Sequence, residues 1–199
     1  MKWYKFNINT LTPEGYSKWY NLMSEEKKNK VDKLRFDEDK KRSVCGDMLA
    51  KKAVAEFSDI RAEDVKLSTK ENGKPYPANA DAHINISHSG DWVVCAISQK
   101  PVGIDIEEIR PINLKIAKRF YTEEEIFYLF GHTPQESEFT ETKDYVVHKR
   151  FFEIWTAKEA YLKYTGEGIT VCLNKLKFNQ ENIHREYFDS YVVSVYFEE

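Results

Sequence analysis

Cysteine is scarce in this sequence, and long apolar runs are missing altogether. The three cysteines, Cys45, Cys95 and Cys172, are odd in number and far apart, which argues against a disulfide framework and favours a reducing cytoplasm. No run approaches the roughly 18 apolar residues of a membrane-spanning helix, and the N-terminus MKWYKFNINT lacks the apolar core of a signal peptide. We therefore expect a cytoplasmic protein that does not span a membrane.

An excess of charge of either sign is also missing. The 30 lysines and arginines nearly balance the 33 aspartates and glutamates, which leaves a formal net charge of −3. This balance gives the chain no overall attraction to nucleic acid or to membranes, so any binding of anions must come from a local cluster of cations. Low-complexity segments and short-period repeats are absent too, and 199 residues suffice for one large domain or two small ones.

The stretch VGIDIE, residues 102–107, predicts a strand because β-branched residues alternate in it with Gly103, Asp105 and Glu107. Successive side chains of a strand point to opposite faces, so Asp105 and Glu107 share one face. Two carboxylates about 4 Å apart repel by roughly 4 kcal/mol at an effective dielectric of 20, and a hard cation such as Mg²⁺ would offset that repulsion. Either the pair binds a divalent cation, or it lies on the solvent-facing side of an edge strand.

Cations concentrate in residues 24–42, where acidic residues interleave with them. This pattern indicates either a solvated helical face or a phosphate-binding surface. Further along, the turn signal Asn72-Gly73 precedes Lys74, and residues 85–90, NISHSG, crowd hydroxyls, an imidazole and free amides into a turn. Each turn could bind an anion or could be purely structural. The cations of the first segment are Lys27, Lys28, Lys30, Lys33, Arg35, Lys40, Lys41 and Arg42.

Hydrophobic periodicity and turn signals predict the same arrangement twice along the chain. Strands and one long helix precede residue 100, and strands and one long helix follow it, which indicates an α+β fold of two similar halves, residues 1–100 and 101–199. Residues 131–144 are polar and irregular, and they read as a loop. The predicted strands are residues 3–8, 65–69, 83–87, 92–98, 102–107, 175–178 and 191–197, and the predicted helices begin at or near Pro13, Asp37, Asn113, Glu123 and Tyr145.

The last predicted helix, residues 145–164, carries Glu159 and Lys163 four residues apart and therefore on one face. Such a pair on an exposed helix contributes only about 0.3–0.5 kcal/mol and is common. This helix is unusually aromatic for a surface helix, however, and Trp155 lies one turn earlier on the same side. The pair is therefore expected to be partly enclosed.

Together these segments resemble the 4′-phosphopantetheinyl transferases of the larger Sfp type. The matching stretches are VGIDIE (102–107) and WTAKEAYLK (155–163), which are separated by about fifty residues as in that family. NGKP (72–75), NISHSG (85–90) and RSVCGD (42–47) also resemble family positions. The resemblance implies a pseudo-dimer of two α+β halves, each an antiparallel sheet packed on a long helix, with the active site at the interface.

The resemblance also implies an activity: transfer of the phosphopantetheine arm of coenzyme A to a serine of an acyl or peptidyl carrier protein, with release of adenosine 3′,5′-bisphosphate. Asp105, Glu107 and Glu159 would hold Mg²⁺ at the pyrophosphate. Glu159 would also be the general base, and Lys163 would neutralise the pyrophosphate and assist the leaving group. The residues expected to bind coenzyme A are Lys27, Lys30, Arg42, Ser43, Lys74, Pro75, Ser87, His88, Lys158 and Lys163. Lys28 lies between Lys27 and Lys30 and could match the family position of either one.

The carrier protein of this family presents an acidic helical surface. We expect its docking surface within residues 112–144, where Leu114, Phe120, Tyr121 and Phe127 are either docking residues or core. The first half would hold the adenine and 3′-phosphate side of coenzyme A, and the second half the metal, the catalytic residues and the carrier. Two fused halves make an oligomer unnecessary, so we expect a monomer.

Two other functions fit parts of the same sequence. A non-catalytic coenzyme A or nucleotide-binding module would keep the pocket without turnover, but it would not need both Glu159 and Lys163. A Mg²⁺-dependent phosphohydrolase could use the same three carboxylates, but it would need an activated water and would release pantetheine phosphate without a carrier.

Overall fold

The computed structural model describes residues 1–166, 168 and 172–199, which form an α+β fold with antiparallel sheets. In the first half a three-stranded sheet has the order β1-β5-β4, and the long helix α3 packs on it. Cys45 and Leu49 of this helix meet Val93 and Cys95 of the central strand in a buried cluster. The elements are β1 (Lys2–Asn7), α1 (Pro13–Asn21), α2 (Glu25–Asp32), α3 (Asp37–Ser58), β2 (Leu67–Thr69), β3 (Pro75–Pro77), β4 (His83–Ser89) and β5 (Trp92–Ser98).

Two of the helices described in this half start at side-chain caps. The Thr12 side chain accepts a hydrogen bond from the Gly15 amide, and Pro13 takes the first helical position of α1, as predicted. Ser24 caps α2 in the same way through the Lys27 amide, so the first part of the basic segment is a short helix of its own. This cap fixes where the lysines of α2 lie relative to the following long helix.

The second half repeats the plan with the sheet order β6-β8-β7 and the long helix α6 against it. The β6 and α6 backbones come unusually close at Gly103, where an added Cβ would lie 1.9 Å from the Ala160 carbonyl oxygen. Only glycine leaves room for this approach, which brings the carboxylate strand against the Glu159 helix. The elements are β6 (Val102–Glu108), α4 (Lys115–Phe120), α5 (Glu123–Phe130), α6 (Tyr145–Thr165), β7 (Ile183–Phe188) and β8 (Tyr191–Phe197).

The predicted strand at residues 175–178 is wrong. Leu173–Lys175 is a short 3-10 helix, and the strand that pairs with β8 is Ile183–Phe188. Leu176 and Phe178 belong to an apolar cluster with Leu162 of α6. Because these two side chains pack against α6, they do not alternate between the two faces of a sheet.

Two residues of the expected docking segment are core residues. Leu114 is fully buried, and the Tyr121 hydroxyl, also buried, donates to the Phe151 carbonyl. The docking prediction is therefore wrong for both. Phe120 is partly buried and packs edge-on against Trp155, whereas Phe127 on α5 is 57% exposed.

The free cysteines agree with the absence of a disulfide framework. Cys45 and Cys95 are buried, Cys172 is exposed, and all three are unpaired. Within the described residues, no helix is both long enough and apolar enough to cross a membrane.

Candidate active site

The edge strands β4 and β6 of the two sheets are joined by side chains rather than by a backbone ladder. Asn85 Oδ1 accepts a hydrogen bond from the Ile104 amide at 2.9 Å, and Ser89 Oγ accepts one from the Glu108 amide at 3.2 Å. Asn85 and Ser89 lie on one face of β4 because their spacing is a multiple of two. Two amides of the free edge of β6 are thus hydrogen-bonded to β4, and the β6 carboxylates lie at the boundary between the sheets.

Asp105 is the most enclosed carboxylate at this boundary, with only 5% exposure. Its Oδ1 accepts hydrogen bonds from Ser87 Oγ at 2.7 Å and from Lys163 Nζ at 2.6 Å, and Lys163 Nζ also donates to Ser87 Oγ at 2.8 Å. Its Oδ2 is buried without any hydrogen-bond partner. One oxygen of Asp105 on β6 is therefore held by side chains of β4 and α6, and the other is available to a ligand.

Glu107 and Glu159 complete the acidic group. Glu107 Oε2 accepts a hydrogen bond from Ser89 Oγ at 2.8 Å, and Glu159 Oε1 is buried without a partner. Burial raises the pKa of both carboxyls, and the neighbouring Asp105 charge raises each pKa further. Negative charge is therefore costly at both positions unless a cation compensates it.

The donor set suits a hard divalent cation. Asp105 and Glu159 each have a buried carboxylate oxygen that no described protein group hydrogen-bonds, and carboxylate oxygen is the ligand type that Mg²⁺ prefers. Among the described residues, no three His, Cys, Asp or Glu side chains already stand in metal-binding positions. The carboxylates would therefore have to rotate toward a common point to hold the ion together.

A cavity of about 320 Å³ opens beside Glu159 and Lys163, with the turn between β2 and β3 as its other wall. Lys74 of that turn is half-buried and donates from Nζ to the Lys163 carbonyl at 2.6 Å. Burial, together with Lys70 and Lys163, lowers the Lys74 pKa to about 8. The turn therefore brings a second amine to the end of α6.

A second cavity, of about 460 Å³, adjoins the first and shares Gly73, Pro75 and Ile86 with it. The Arg42 guanidinium is held at its wall by the Gly90 carbonyl at 2.8 Å and by Asp39 Oδ1 at 2.6 Å. Burial and the charges of Arg42 and Lys163 lower the pKa of His88. Six of the residues expected to bind coenzyme A line this cavity: Lys27, Lys30, Arg42, Ser43, Pro75 and His88.

Lys158 is not brought to either cavity. It is 1% exposed, and its Nζ donates to the Leu173 carbonyl at 2.7 Å and pairs with Glu125 Oε2 at 2.8 Å. One residue along a helix turns the side chain by about 100°, so Lys158 lies away from the face of Glu159. The expected contact of Lys158 with phosphate is therefore not supported, and this lysine instead ties α5 to α6.

Sequence reasoning did not assign a role to Asn85 or Asp47, and it considered Ser89 only as part of an anion-binding turn, whereas the Ser89 hydroxyl bonds to Glu107 and the Glu108 amide. The alternation of residues 83–89 already placed Asn85 on the face of Ser87, and it could have predicted Ser89 there as well. Asp47 carries no such signal, because its place in the wall of the second cavity depends on how α2 and α3 pack.

Comparison with known proteins points to one family along nearly the whole chain. Residues 101–195 match the model of the 4′-phosphopantetheinyl transferase superfamily, and residues 10–100 match the 4′-phosphopantetheinyl transferase N-terminal model. The chain is 36% identical over 165 residues to 4′-phosphopantetheinyl transferase Sfp of Bacillus subtilis strain 168, covering 82% of this chain and 69% of that protein.

The chain belongs to the 4′-phosphopantetheinyl transferase superfamily.

Two further members of this superfamily give the same match. The chain is 38% identical over 154 residues to psf-1 of Bacillus pumilus, which covers 77% of this chain and 62% of the relative. It is 39% identical over 152 residues to gsp of Aneurinibacillus migulanus, which covers 76% and 60%. The chain thus matches 60–69% of the length of these three transferases, and the two family models fit its two halves.

Proposed function

We propose that this protein transfers 4′-phosphopantetheine from coenzyme A to a serine of an acyl or peptidyl carrier protein and releases adenosine 3′,5′-bisphosphate. The observation that carries the proposal is the junction of Asp105, Glu159 and Lys163 beside two adjoining cavities with cationic walls. A dianionic pyrophosphate fits that junction because cations neutralise it while free carboxylate oxygens remain for a metal. Family membership supports the same reaction.

The nucleotide end of coenzyme A occupies the larger cavity in this proposal. Lys27, Lys30 and Arg42 supply positive charge there, and His88 and Ser43 supply hydrogen-bond donors. The pyrophosphate lies toward Lys74 and Lys163 in the smaller cavity. Because the chain has a net charge of −3, this local concentration of cations is what attracts the ligand.

Asp105, Glu107 and Glu159 hold Mg²⁺ in the proposed site. When bound, the ion would neutralise charge on the pyrophosphate oxygens and satisfy the two unpaired carboxylate oxygens. Lys163 keeps the other Asp105 oxygen fixed, so that the free oxygen stays directed away from it. Ser87 is among the residues expected to bind coenzyme A, but it lines neither cavity and its hydroxyl donates to Asp105 Oδ1, so we propose it as a positioning residue instead.

The chemical step is a displacement at the β-phosphorus of coenzyme A. The serine oxygen of the carrier forms a bond to this phosphorus, and the bond to the bridging oxygen breaks, with its electron pair going to the leaving adenosine 3′,5′-bisphosphate. Glu159, which lines the smaller cavity beside Lys163, accepts the serine proton. Lys163 stabilises the negative charge that develops on the leaving phosphate.

We further propose that the active site lies at the interface of a pseudo-dimer. β4 and the turn before β3 come from the first half, whereas β6 and α6 come from the second. The contacts of Ser87 with Asp105 and of Lys74 with the Lys163 carbonyl cross between them. Fusion of the halves makes both contributions available in one chain, which supports a monomer, and the free cysteines suit a reducing cytoplasm.

The intact mass of an apo carrier protein tests the proposed reaction. Incubation with this protein, coenzyme A and Mg²⁺ should add the mass of one phosphopantetheine group, and chelation should prevent it. Glu159→Gln removes both a carboxylate ligand and the proton acceptor, so we expect it to lower the rate by about 10³-fold. Coenzyme A binding without modification of several carriers would favour a binding module, and release of pantetheine phosphate without a carrier would favour a phosphohydrolase.

Phe127 provides a test of the carrier-docking surface. This side chain is 57% exposed on α5, inside the segment 112–144. Because the carrier of this family has an acidic helical surface, Phe127→Glu should raise the KM for the carrier by about 10-fold through lost contact and charge repulsion. The KM for coenzyme A should stay unchanged.

Phe36 supplies the matched control for this measurement. It is the same residue type with the same 57% exposure, but it lies before α3 in the first half. Phe36→Glu should leave the carrier KM unchanged. Equal carrier KM values for Phe127→Glu and wild type would exclude α5 from the docking surface.

A further inference from the structure

Asp47 is a buried carboxylate in the wall of the larger cavity. The residue is 8% exposed, and its Oδ2 is buried without a hydrogen-bond partner. Burial raises the pKa of Asp47, while Lys51 and Lys27 act in the opposite direction. A buried hydrogen-bond acceptor without a partner costs free energy. The proposed transfer reaction gives Asp47 no role.

The charges of two lysines act on Asp47, and these lysines differ in their own contacts. Lys51 Nζ is 3.8 Å from Asp47 Oδ2 but donates its short hydrogen bond, 2.6 Å, to the Leu22 carbonyl. Lys27 lines the same cavity as Asp47, and its amine has no hydrogen-bond or ion-pair partner within the part of the chain described. Lys27 is therefore the lysine that can still move toward the free oxygen.

The remaining lysine of α2 in this cavity is arranged differently. Lys30 Nζ is bound to Glu26 Oε1 at 2.6 Å on the exposed side of the helix. Lys27 is half-buried, and burial lowers its pKa, whereas the Asp47 charge raises it. Asp47 is thus the carboxylate that favours the charged form of Lys27 where desolvation opposes it.

We propose that Asp47 is a positioning residue for the phosphate-binding ammonium of Lys27. When coenzyme A enters the cavity, Asp47 Oδ2 accepts a hydrogen bond from Lys27 Nζ and directs that ammonium at the 3′-phosphate. The inference rests on the proposed function and specifies how its nucleotide end is recognised. An ammonium held between a carboxylate and a phosphate stays charged and loses little further freedom on binding.

A double-mutant cycle tests the coupling between the two residues. Asp47→Asn should weaken coenzyme A binding, measured by calorimetry, by about 10-fold and should leave kcat at saturating coenzyme A within about 2-fold. Lys27→Met should weaken binding by at least as much, and the double variant should be no weaker than Lys27→Met alone. With 3′-dephospho-coenzyme A the effect of Asp47→Asn should disappear, a result that a merely structural role would not produce.

Asp59→Asn and Lys2→Met are the matched controls. Asp59 is exposed at the end of α3, and the exposed Lys2 is bound to Glu56, so neither change should alter binding. Thermal unfolding shows whether Asp47→Asn is folded. If it is not, Asp47→Ser replaces it in the double-mutant cycle. Additive effects, or tighter binding by the Asp47 variant, would overturn the inference while leaving transfer activity intact. Absence of coenzyme A binding to the wild-type protein would overturn the proposed function as well.

Discussion

Replacing Asp105 with asparagine should lower kcat/KM for phosphopantetheine transfer by about 10³-fold without unfolding the protein. The carboxylate has two roles in the proposed site, since one oxygen pairs with Lys163 Nζ at 2.6 Å and the other is free for a cation. An amide of nearly the same shape fills the same space but carries no charge. Loss of a metal ligand and of the ion pair that holds Lys163 accounts for an effect of this size.

The comparison with two neighbouring variants separates these roles. Ser87→Ala removes the hydrogen bonds of the hydroxyl to Asp105 Oδ1 and to Lys163 Nζ but leaves the Lys163–Asp105 ion pair, so it should lower activity by about 10-fold or less. Glu108→Gln changes a carboxylate on the same strand outside the acidic group and should leave activity within about 2-fold. Rates are measured over a range of coenzyme A and of Mg²⁺ concentrations. More than a tenth of wild-type activity in Asp105→Asn would contradict the assignment of Asp105 as a metal ligand.

Gly103→Ala should destabilise the fold by about 3 kcal/mol or more. An added Cβ would lie 1.9 Å from the Ala160 carbonyl oxygen and 2.5 Å from the Tyr164 amide nitrogen. Both atoms are backbone, so no rotamer change relieves the overlap, and β6 must move away from α6. A loss of this size is a large part of the 5–15 kcal/mol by which domains are usually stable. Activity should fall as well, because Glu159 and Lys163 adjoin the displaced residues.

Chemical denaturation of Gly103→Ala beside Gly46→Ala measures this effect. Gly46 lies inside α3, where an added Cβ would be 3.4 Å from Ile86 Cγ2, an ordinary contact distance. Because alanine favours a helix by about 1 kcal/mol over glycine, Gly46→Ala should be neutral or slightly stabilising. A wild-type denaturation midpoint for Gly103→Ala would show that the two backbones can separate at no cost.

Local patterns along the chain predicted most of the elements and the main site motifs. The alternation of residues 102–107 placed Asp105 and Glu107 on one strand, and the Thr12-Pro13 signal gave the start of α1. Spacing four residues apart placed Glu159 and Lys163 on one helical face. These patterns predict structure because strand and helix periodicity and capping hydrogen bonds involve only residues a few positions apart.

The sequence by itself therefore determined most of the elements, the acidic strand, the Glu159 helix and the family, but not the strand before β8. Only the tertiary structure decided which side chains of those elements meet. In the folded chain Lys158 pairs with Glu125, Ser87 hydrogen-bonds to Asp105, and Asp47 lies in the wall of the larger cavity. These contacts depend on the packing of elements that are distant in sequence. Helical or strand periodicity and capping signals are local, so they do not predict which side chain from a distant element will be the partner.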